Sequence, residues 1–157
     1  MYSMWLSSDE QRVWRDYLTM TGRLQIAMNR QLQRDCGLSL ADYDVLVALD
    51  ERPGCRISEL GDRLGWEQSR LSHQLSRMRT RGLVLRRGAD DDRRAATIEL
   101  TKDGRSALDA AAPGHAKLVH DAVFADVRAS DLRALQRWTS GVLERLEARP
   151  GMSQGPR

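Results

Sequence analysis

Side chains that can hydrogen-bond to nucleic-acid bases and phosphates are concentrated in one predicted helix, from about residue 67 to residue 81. Leu71, Leu75 and Met78 recur at i, i+4 and i+7, so this stripe is predicted to face the core. The groove-facing candidates are Gln68, Ser69, Arg70, Ser72, His73, Gln74 and Arg77. Arginine can donate two hydrogen bonds to guanine, glutamine can pair with adenine, and serine suits a base or a phosphate. The arginines better placed for phosphates are Arg77, Arg79 and Arg81.

The stretch around this helix predicts a helix-turn-helix followed by a β-hairpin. The segment ISELGDRLG, residues 57–65, is predicted to be a short helix in which Gly65 supplies the turn. After Gly82 the helical periodicity is lost, and two short strand patterns, 83–87 and 95–100, flank a polar tip. This order is that of a winged helix-turn-helix, which places one helix in a DNA groove and a β-ribbon beside it.

Two helices are predicted before this module. The first begins at a capping box formed by Ser8 and Gln11 and ends near residue 35, where Gly37 closes it. The second begins with Ser39 and Asp42. Both carry apolar residues at helical spacing, so each is expected to pack one face against another element.

Two further helices are predicted after the hairpin. Thr101 caps the fifth helix, which Pro113 and Gly114 are expected to kink or split, and Ser130 caps the last one. Aromatic residues in the terminal helices have no other domain to cover them; these are Trp5, Trp14, Tyr17, Phe124 and Trp138. The simplest solution is a dimer in which the first, fifth and sixth helices of two copies interdigitate.

Composition indicates one mainly α domain with a small β-wing and a partner of negative charge. The 157 residues carry a net charge of +3, but residues 52–94 hold 11 arginines against 6 acids, a balance of +5, and the remainder sums to −2. Positive charge concentrated in the predicted module is what phosphate binding requires. A winged helix used only for protein assembly would not need this charge.

Other classes of protein are disfavoured by the pattern. No apolar run approaches the ~20 residues that span a bilayer, and the N-terminus lacks the features of a signal peptide, so a cytoplasmic protein is expected. No phosphate-binding glycine loop and no paired nucleophile and base occur at recognisable spacing. We therefore expect no enzyme, no catalytic residue, no metal and no cofactor.

Four features occur in a fixed order along the chain. They are ISELGDRLG, a helix ending in RGLV, DDRR followed by IELT, and KDG at the start of the fifth helix. In this order and spacing they closely resemble the MarR (multiple antibiotic resistance regulator) family of bacterial transcription factors, over roughly residues 9–146. One departure is Gly61, where such helices usually carry alanine. Glycine should weaken this helix by about 1 kcal/mol unless packing needs a small residue.

The resemblance implies how the chain is organised and what it binds. One domain would span residues 1–157, with dimerisation helices at 9–37 and 102–148, a winged helix-turn-helix at 39–101, and a flexible tail at 149–157. It implies a bacterial, nucleoid-associated homodimer that binds a palindromic operator in double-stranded DNA and acts as a repressor.

The resemblance also assigns roles at the tip of the hairpin. Asp92, Arg93 and Arg94 match the family's DxR pattern. Arg94 would enter the minor groove and Arg93 would assist, while Asp92 would hold an arginine by a salt bridge. A narrow, electronegative groove attracts guanidinium groups, which makes these roles physically reasonable.

Relatives commonly release DNA when a small aromatic molecule binds between the dimerisation helices and the winged module. A pocket of apolar walls with a few hydroxyls is predicted from Trp14, Tyr17, Thr21, Tyr43, Leu46 and Val47. Two alternatives stay open: these are ordinary core residues, or regulation needs no ligand. Redox sensing is disfavoured because Cys36 and Cys55 do not align with the family's N-terminal cysteine. Zinc binding by His115, His120 and Asp121 is disfavoured because i, i+5 spacing puts the histidines about 140° apart.

Overall fold

The chain folds into six α-helices and a three-stranded antiparallel sheet in the parts that the structure describes, residues 5–88 and 96–148. The structure is a computed structural model. In chain order the elements are α1 (Ser8–Cys36), α2 (Leu40–Glu51), β1 (Cys55–Arg56), α3 (Ile57–Leu64), α4 (Gln68–Thr80), β2 (Val84–Arg87), β3 (Thr97–Leu100), α5 (Lys102–Val119) and α6 (Ala129–Glu147). The predicted fold class is confirmed. The wing residues Asp92, Arg93 and Arg94 and the tail 149–157 lie outside the described residues.

The first helix begins one residue earlier than predicted. Its capping box is Ser7 with Glu10, whose carboxylate accepts from the Ser7 N–H over 2.7 Å, rather than Ser8 with Gln11. A carboxylate suits this position because it accepts a hydrogen bond and interacts favourably with the helix N-terminus. The Ser7 hydrogen bonds lower the pKa of Glu10. Gly37 closes the helix as predicted, with a φ of 67° that favours glycine.

The sheet contains a strand that the sequence pattern did not predict. The two-residue β1 pairs with β3, which lies between β1 and β2. In the β2–β3 ladder Arg86 is opposite Ile98, and Arg87 is opposite Thr97. Since directly opposed residues share a face of a sheet, Arg86 and Ile98 point to one side and Arg87 points to the other.

A kink or a split was predicted at Pro113, but the fifth helix is continuous through this residue. Thr101 caps it, and it continues through Pro113 to Val119 before a π-helical turn at His120–Phe124. Pro113 is exposed, so the carbonyl that loses its intrahelical partner can face water. The last helix begins at Ala129, with Arg128 rather than Ser130 at the N-cap position.

The buried core lies among α2, α3, α4 and the sheet, with the end of α1 and part of α5 closing it. Its largest members are Leu32, Leu38, Leu46, Leu49, Leu60, Leu71, Met78 and Ile98. By contrast, α6 has no buried residue, and the first half of α1 is largely exposed. Tyr17 and Trp138 pack edge to face, with ring centroids 5.5 Å apart. None of the described helices is both long and apolar enough to cross a membrane.

Candidate nucleic-acid interface

The fourth helix presents one apolar face to the core and one polar face to solvent. Leu71, Leu75 and Met78 are buried, as their spacing predicts. The predicted groove-facing residues that are exposed are Gln68, Ser69, Arg70, Ser72, His73 and Arg77. No helix or strand that the structure describes covers these side chains, so they are available to a ligand as large as DNA.

Gln74 is the exception among these candidates. Its side chain is only 3 % exposed, and its Nε2 donates to Asp42 Oδ1 over 2.6 Å. Its Oε1 accepts a hydrogen bond from Arg77. The prediction that Gln74 faces the groove is therefore wrong, because the N-terminal turn of α2 packs over this position of α4 and supplies a buried acceptor.

The Asp42 carboxylate also holds the end of α4. Arg81 Nη1 donates to Asp42 Oδ2 over 2.6 Å, and Arg81 Nη2 donates to the carbonyl of Gly37 over 2.9 Å. Burial by itself would raise the pKa of Asp42, but the hydrogen bonds from Arg81 and Ser39 outweigh it and the pKa is lowered. The sequence predicted that Arg81 contacts phosphate, but in the structure its guanidinium donates hydrogen bonds to Asp42 and Gly37.

A cleft of about 660 Å³ lies between α4, the start of α3 and the sheet. We call it the α4 cleft. Its floor includes Leu75 and Ile98, and its polar lining consists of Arg56, Ser58, Gln68, Ser72, Ser76, Arg79 and Arg86. Three guanidinium groups and three hydroxyls line this concave surface, and both kinds of group can donate hydrogen bonds to phosphate oxygens, while the guanidinium groups add positive charge.

Arg86 has the least satisfied side chain in the α4 cleft. Its Nε and Nη2 atoms are buried and have no hydrogen-bond partner among the described residues. Its neighbour Arg87 points to the other face of the sheet, where its Nε donates to Glu99 over 2.6 Å. Buried donors without acceptors are costly, which makes Arg86 a candidate for an external anion.

Sequence reasoning missed Arg56 and Arg86. Arg86 belongs to a strand pattern in which alternate residues share a face, and this alternation could have set it apart from Arg87. Nothing in the sequence indicated that the face would also border α4. Arg56 lies in β1, whose two residues carry no periodic signal.

The first turn of α4 holds a cation–π pair. The Arg70 guanidinium lies 4.3 Å from the centroid of the Trp66 ring. Trp66 is in the turn between α3 and α4, so the ring places Arg70 at the beginning of the exposed face. An anchored guanidinium loses less conformational freedom on binding than a free one.

The predicted ligand pocket is not assembled as expected within one chain. Tyr43 and Val47 line a second cleft of about 370 Å³, which Asp44 and Trp66 also line, and which we call the α2 cleft. Leu46 is fully buried in the core and does not line it. The remaining three predicted residues, Trp14, Tyr17 and Thr21, lie on α1 and are absent from its lining.

The residues of α1 have other neighbours. Trp14 stacks on Tyr17 with centroids 5.8 Å apart, and Tyr17 in turn meets Trp138 of α6. The Thr21 hydroxyl donates to the carbonyl of Leu18 in its own helix. The two halves of the predicted pocket therefore belong to different surfaces of the described chain.

Titratable groups gather beside the α2 cleft. The ring of His115 lies 4.3 Å from that of Tyr43, and burial lowers the pKa of His115 against the opposing effect of Asp44. Burial raises the pKa of Asp44, although His115 and Arg70 oppose the shift. Within the described residues no group of histidine, cysteine and acidic side chains could hold a metal ion. Cys55 lies in the core and does not line this cleft, and burial raises the pKa of its thiol.

Comparisons with known proteins agree with this geometry. A family model described as the MarR family matches residues 37–95. The structure of Sco3205, a MarR family transcriptional regulator from Streptomyces coelicolor in complex with DNA, is 35% identical, with a TM-score of 0.86 over 95% of this chain and 93% of that one. AbsC, a MarR family transcriptional regulator from the same organism, is 32% identical, with a TM-score of 0.85 over 94% of this chain and 100% of that one.

A curated relative is more distant. The uncharacterised HTH-type transcriptional regulator YfiV of Bacillus subtilis is 26% identical over 103 residues. The match covers 64% of this chain and 62% of that protein. The chain thus matches less than two thirds of the length of this relative, whereas it spans nearly all of the two Streptomyces regulators.

Proposed function

Because the chain belongs to the MarR family of transcriptional regulators, we propose that it is a sequence-specific, dimeric DNA-binding repressor that a small aromatic molecule releases from its operator. The observation that carries the proposal is the α4 cleft, where the Arg86 Nε and Nη2 atoms, which have no hydrogen-bond partner among the described residues, lie beside the exposed polar face of α4. A DNA phosphate would supply the missing acceptors while the helix reads bases next to it.

Base reading is assigned to the first turns of α4. Arg70 donates to guanine O6 and N7, Gln68 pairs with adenine, and Ser69, Ser72 and His73 contact bases or the sugar-phosphate backbone. Gln74 does not contact bases in this proposal, because its side-chain amide is already hydrogen-bonded to Asp42 and Arg77. Sequence preference should therefore depend chiefly on Gln68 and Arg70.

Affinity that does not depend on sequence is assigned to the arginines of the α4 cleft and to the wing. Arg56, Arg79 and Arg86 line one concave surface and suit phosphates. Arg94, with Arg93 and Asp92, remains our prediction for the minor groove on the strength of the family pattern. The α4 cleft and the wing would then contact the DNA backbone and the minor groove on either side of α4.

The exposed apolar faces of α1 and α6 support a dimer. Large apolar side chains on these helices remain exposed in the single chain, among them Val13, Trp14, Leu18, Leu132, Leu135, Trp138 and Leu143. Large apolar side chains exposed along two helices mark an interface, and a second copy is the simplest cover. Two copies place two α4 helices on successive major grooves, about 34 Å apart.

The α2 cleft is our proposed effector site. Tyr43 and Trp66 offer aromatic faces, Val47 offers an apolar floor, and Asp44 can accept a hydrogen bond. The Trp66 ring also makes the cation–π contact with Arg70. A flat ligand bound against Trp66 would therefore displace a side chain that we assign to base reading. The raised pKa of Cys55 argues against a redox-responsive alternative, because the thiolate is the reactive form.

Selection of DNA from a random library by the purified protein tests the proposed function. We expect an enriched inverted repeat, and binding of the selected duplex, measured by fluorescence anisotropy, that weakens steeply as salt rises. Sedimentation of the complex should give two chains per duplex. Enrichment of no sequence, with equal affinity for the selected and a scrambled duplex, would contradict the proposal.

A small panel of phenols and aromatic amines, titrated into the preformed complex, tests the effector site. Release of DNA should be lost in Trp66→Leu and kept in Trp14→Leu, which removes an aromatic ring from a different surface. Equal sensitivity of the two variants would exclude the α2 cleft as the site.

A further inference from the structure

We propose that Asp42 is the positioning residue that sets the orientation of α4 relative to α1 and α2, and with it the spacing of the two α4 helices on DNA. The inference rests on the proposed dimeric, DNA-binding function. It concerns a residue far from the exposed face of α4, since Asp42 is 3 % exposed and lies in the first turn of α2.

Asp42 holds α4 at two points. Its Oδ1 accepts from Gln74 Nε2 over 2.6 Å, and its Oδ2 accepts from Arg81 Nη1 over 2.6 Å. Positions 74 and 81 are two helical turns apart on the same face, about 10 Å along the axis. One attachment would leave the helix free to pivot, whereas two attachments to a single carboxylate fix both its rotation and its tilt.

The same carboxylate is itself held by the start of α2 and linked to the end of α1. The Ser39 N–H donates to Asp42 Oδ2 over 2.8 Å, and the Asp42 N–H donates to the Ser39 hydroxyl over 3.0 Å. Arg81 bridges from Asp42 to the carbonyl of Gly37, which closes α1. The end of a proposed dimerisation helix is thereby tied to the helix that reads DNA.

Apolar packing alone would not fix this orientation. Leu71, Leu75 and Met78 keep α4 against the core, but burial of apolar area has no directional preference and tolerates small rotations. Hydrogen bonds to a carboxylate weaken steeply when their angles change. Burial therefore attaches the helix, and the Asp42 hydrogen bonds set its angle.

The test uses a duplex that the wild-type protein selects from a random library, together with versions in which the half-sites are one base pair closer or farther apart. Each base pair shifts a half-site by about 3.4 Å and rotates it around the axis, so wild type should lose about tenfold in affinity for either altered duplex. Asp42→Asn keeps the size of the side chain but cannot accept all the hydrogen bonds. We expect its affinities for the three duplexes to converge to within about threefold.

Asp50→Asn is the matched control. Asp50 lies at the other end of α2 and forms an ion pair with Arg105 of α5, away from α4. It should keep the wild-type preference among spacings. The ratio of affinities is the deciding quantity, because a purely structural role would lower the melting temperature and leave the ratio unchanged at temperatures where the protein is folded.

Arg81→Gln covers the case in which Asp42→Asn does not fold. It removes one of the two attachments and the link to Gly37, at a side chain that is 42% exposed. If Arg81 also binds a phosphate, the effect of its removal cancels in the ratio between duplexes. Retention of the wild-type spacing preference by the folded variants would overturn the inference. Wild-type protein that selects no paired half-sites would instead overturn the proposed function on which it rests.

Discussion

Replacing Arg86 with glutamine should weaken DNA binding without weakening the fold. Arg86 Nε and Nη2 are buried in the α4 cleft without a partner among the described residues, so the side chain adds little to stability as it stands. A phosphate oxygen would accept a hydrogen bond from the charged guanidinium group of Arg86 and so supply the missing partner. The melting temperature of Arg86→Gln should therefore equal or slightly exceed that of wild type.

The magnitude follows from the removal of one phosphate-binding guanidinium per chain. A hydrogen bond between charged groups contributes about 1.5–3 kcal/mol. The lower value applies because Arg86 Nε and Nη2 are buried and the side chain must reorient to meet a phosphate, so affinity should fall about tenfold per chain. The slope of log affinity against log salt is negative, and its magnitude decreases by about 0.9 for each phosphate that the protein no longer neutralises, or about 1.8 for a dimer. The salt slope is the more specific of the two measures, since it reports the number of phosphates bound.

Fluorescence anisotropy with a selected duplex, over a series of salt concentrations, measures both quantities. Arg87→Gln is the matched control, because Arg87 follows directly in β2, points to the other face and is bonded to Glu99. It should keep the wild-type slope. An Arg86→Gln slope equal to that of wild type, with the fold intact, would refute the assignment of the α4 cleft to phosphate.

Three further outcomes are expected. A Cβ at Gly104 would overlap the carbonyl oxygen of Leu83, whereas one at Gly61 would have no neighbouring atom closer than 3.4 Å among the described residues. In denaturant titrations the free energy of unfolding should decrease by about 2 kcal/mol or more in Gly104→Ala and increase by up to about 1 kcal/mol in Gly61→Ala. Arg94→Ala should lower operator affinity about tenfold in a gel-shift titration while the dimer stays folded, and unchanged affinity would exclude the wing assignment. The pKa of Asp42 is lowered in the folded state, so its contribution to stability is present above about pH 4 and is lost on acidification; melting temperatures measured from pH 6 downward should fall more steeply for wild type than for Asp42→Asn, and parallel curves would contradict this.

Local signals in the sequence predicted most of the fold because they act within one turn of a helix. Gly37, Ser39 and Thr101 end or begin helices where their residue types favour it, with the hydrogen bonds that such caps make. The errors of one or two residues, at Ser8 and Ser130, arose where an adjacent position caps the helix instead. Pro113 was overrated as a helix breaker because it lies on an exposed side of α5.

The sequence predicted the exposed face of α4, but it predicted neither the internal hydrogen bonds of this helix nor the contribution of Arg56 and Arg86 to the α4 cleft. Helical spacing separates Leu71 from Ser72, since a core face requires a solvent face opposite it. Spacing does not show which element covers the boundary between the two faces. Gln74 lies on that boundary, and only the packing of α2 against α4 makes it buried.

The sequence by itself determined the order of the six helices and of the two wing strands, the winged helix-turn-helix and the family, because periodicity, caps and turn residues are properties of neighbouring positions. Tertiary structure decided what each polar side chain does. Gln74 and Arg81 donate hydrogen bonds to Asp42, which is 32 and 39 residues away in the sequence. Arg86 of β2 lines the same cleft as residues of α4. Such interactions join distant segments, and their partners depend on how whole faces pack, which no local pattern encodes.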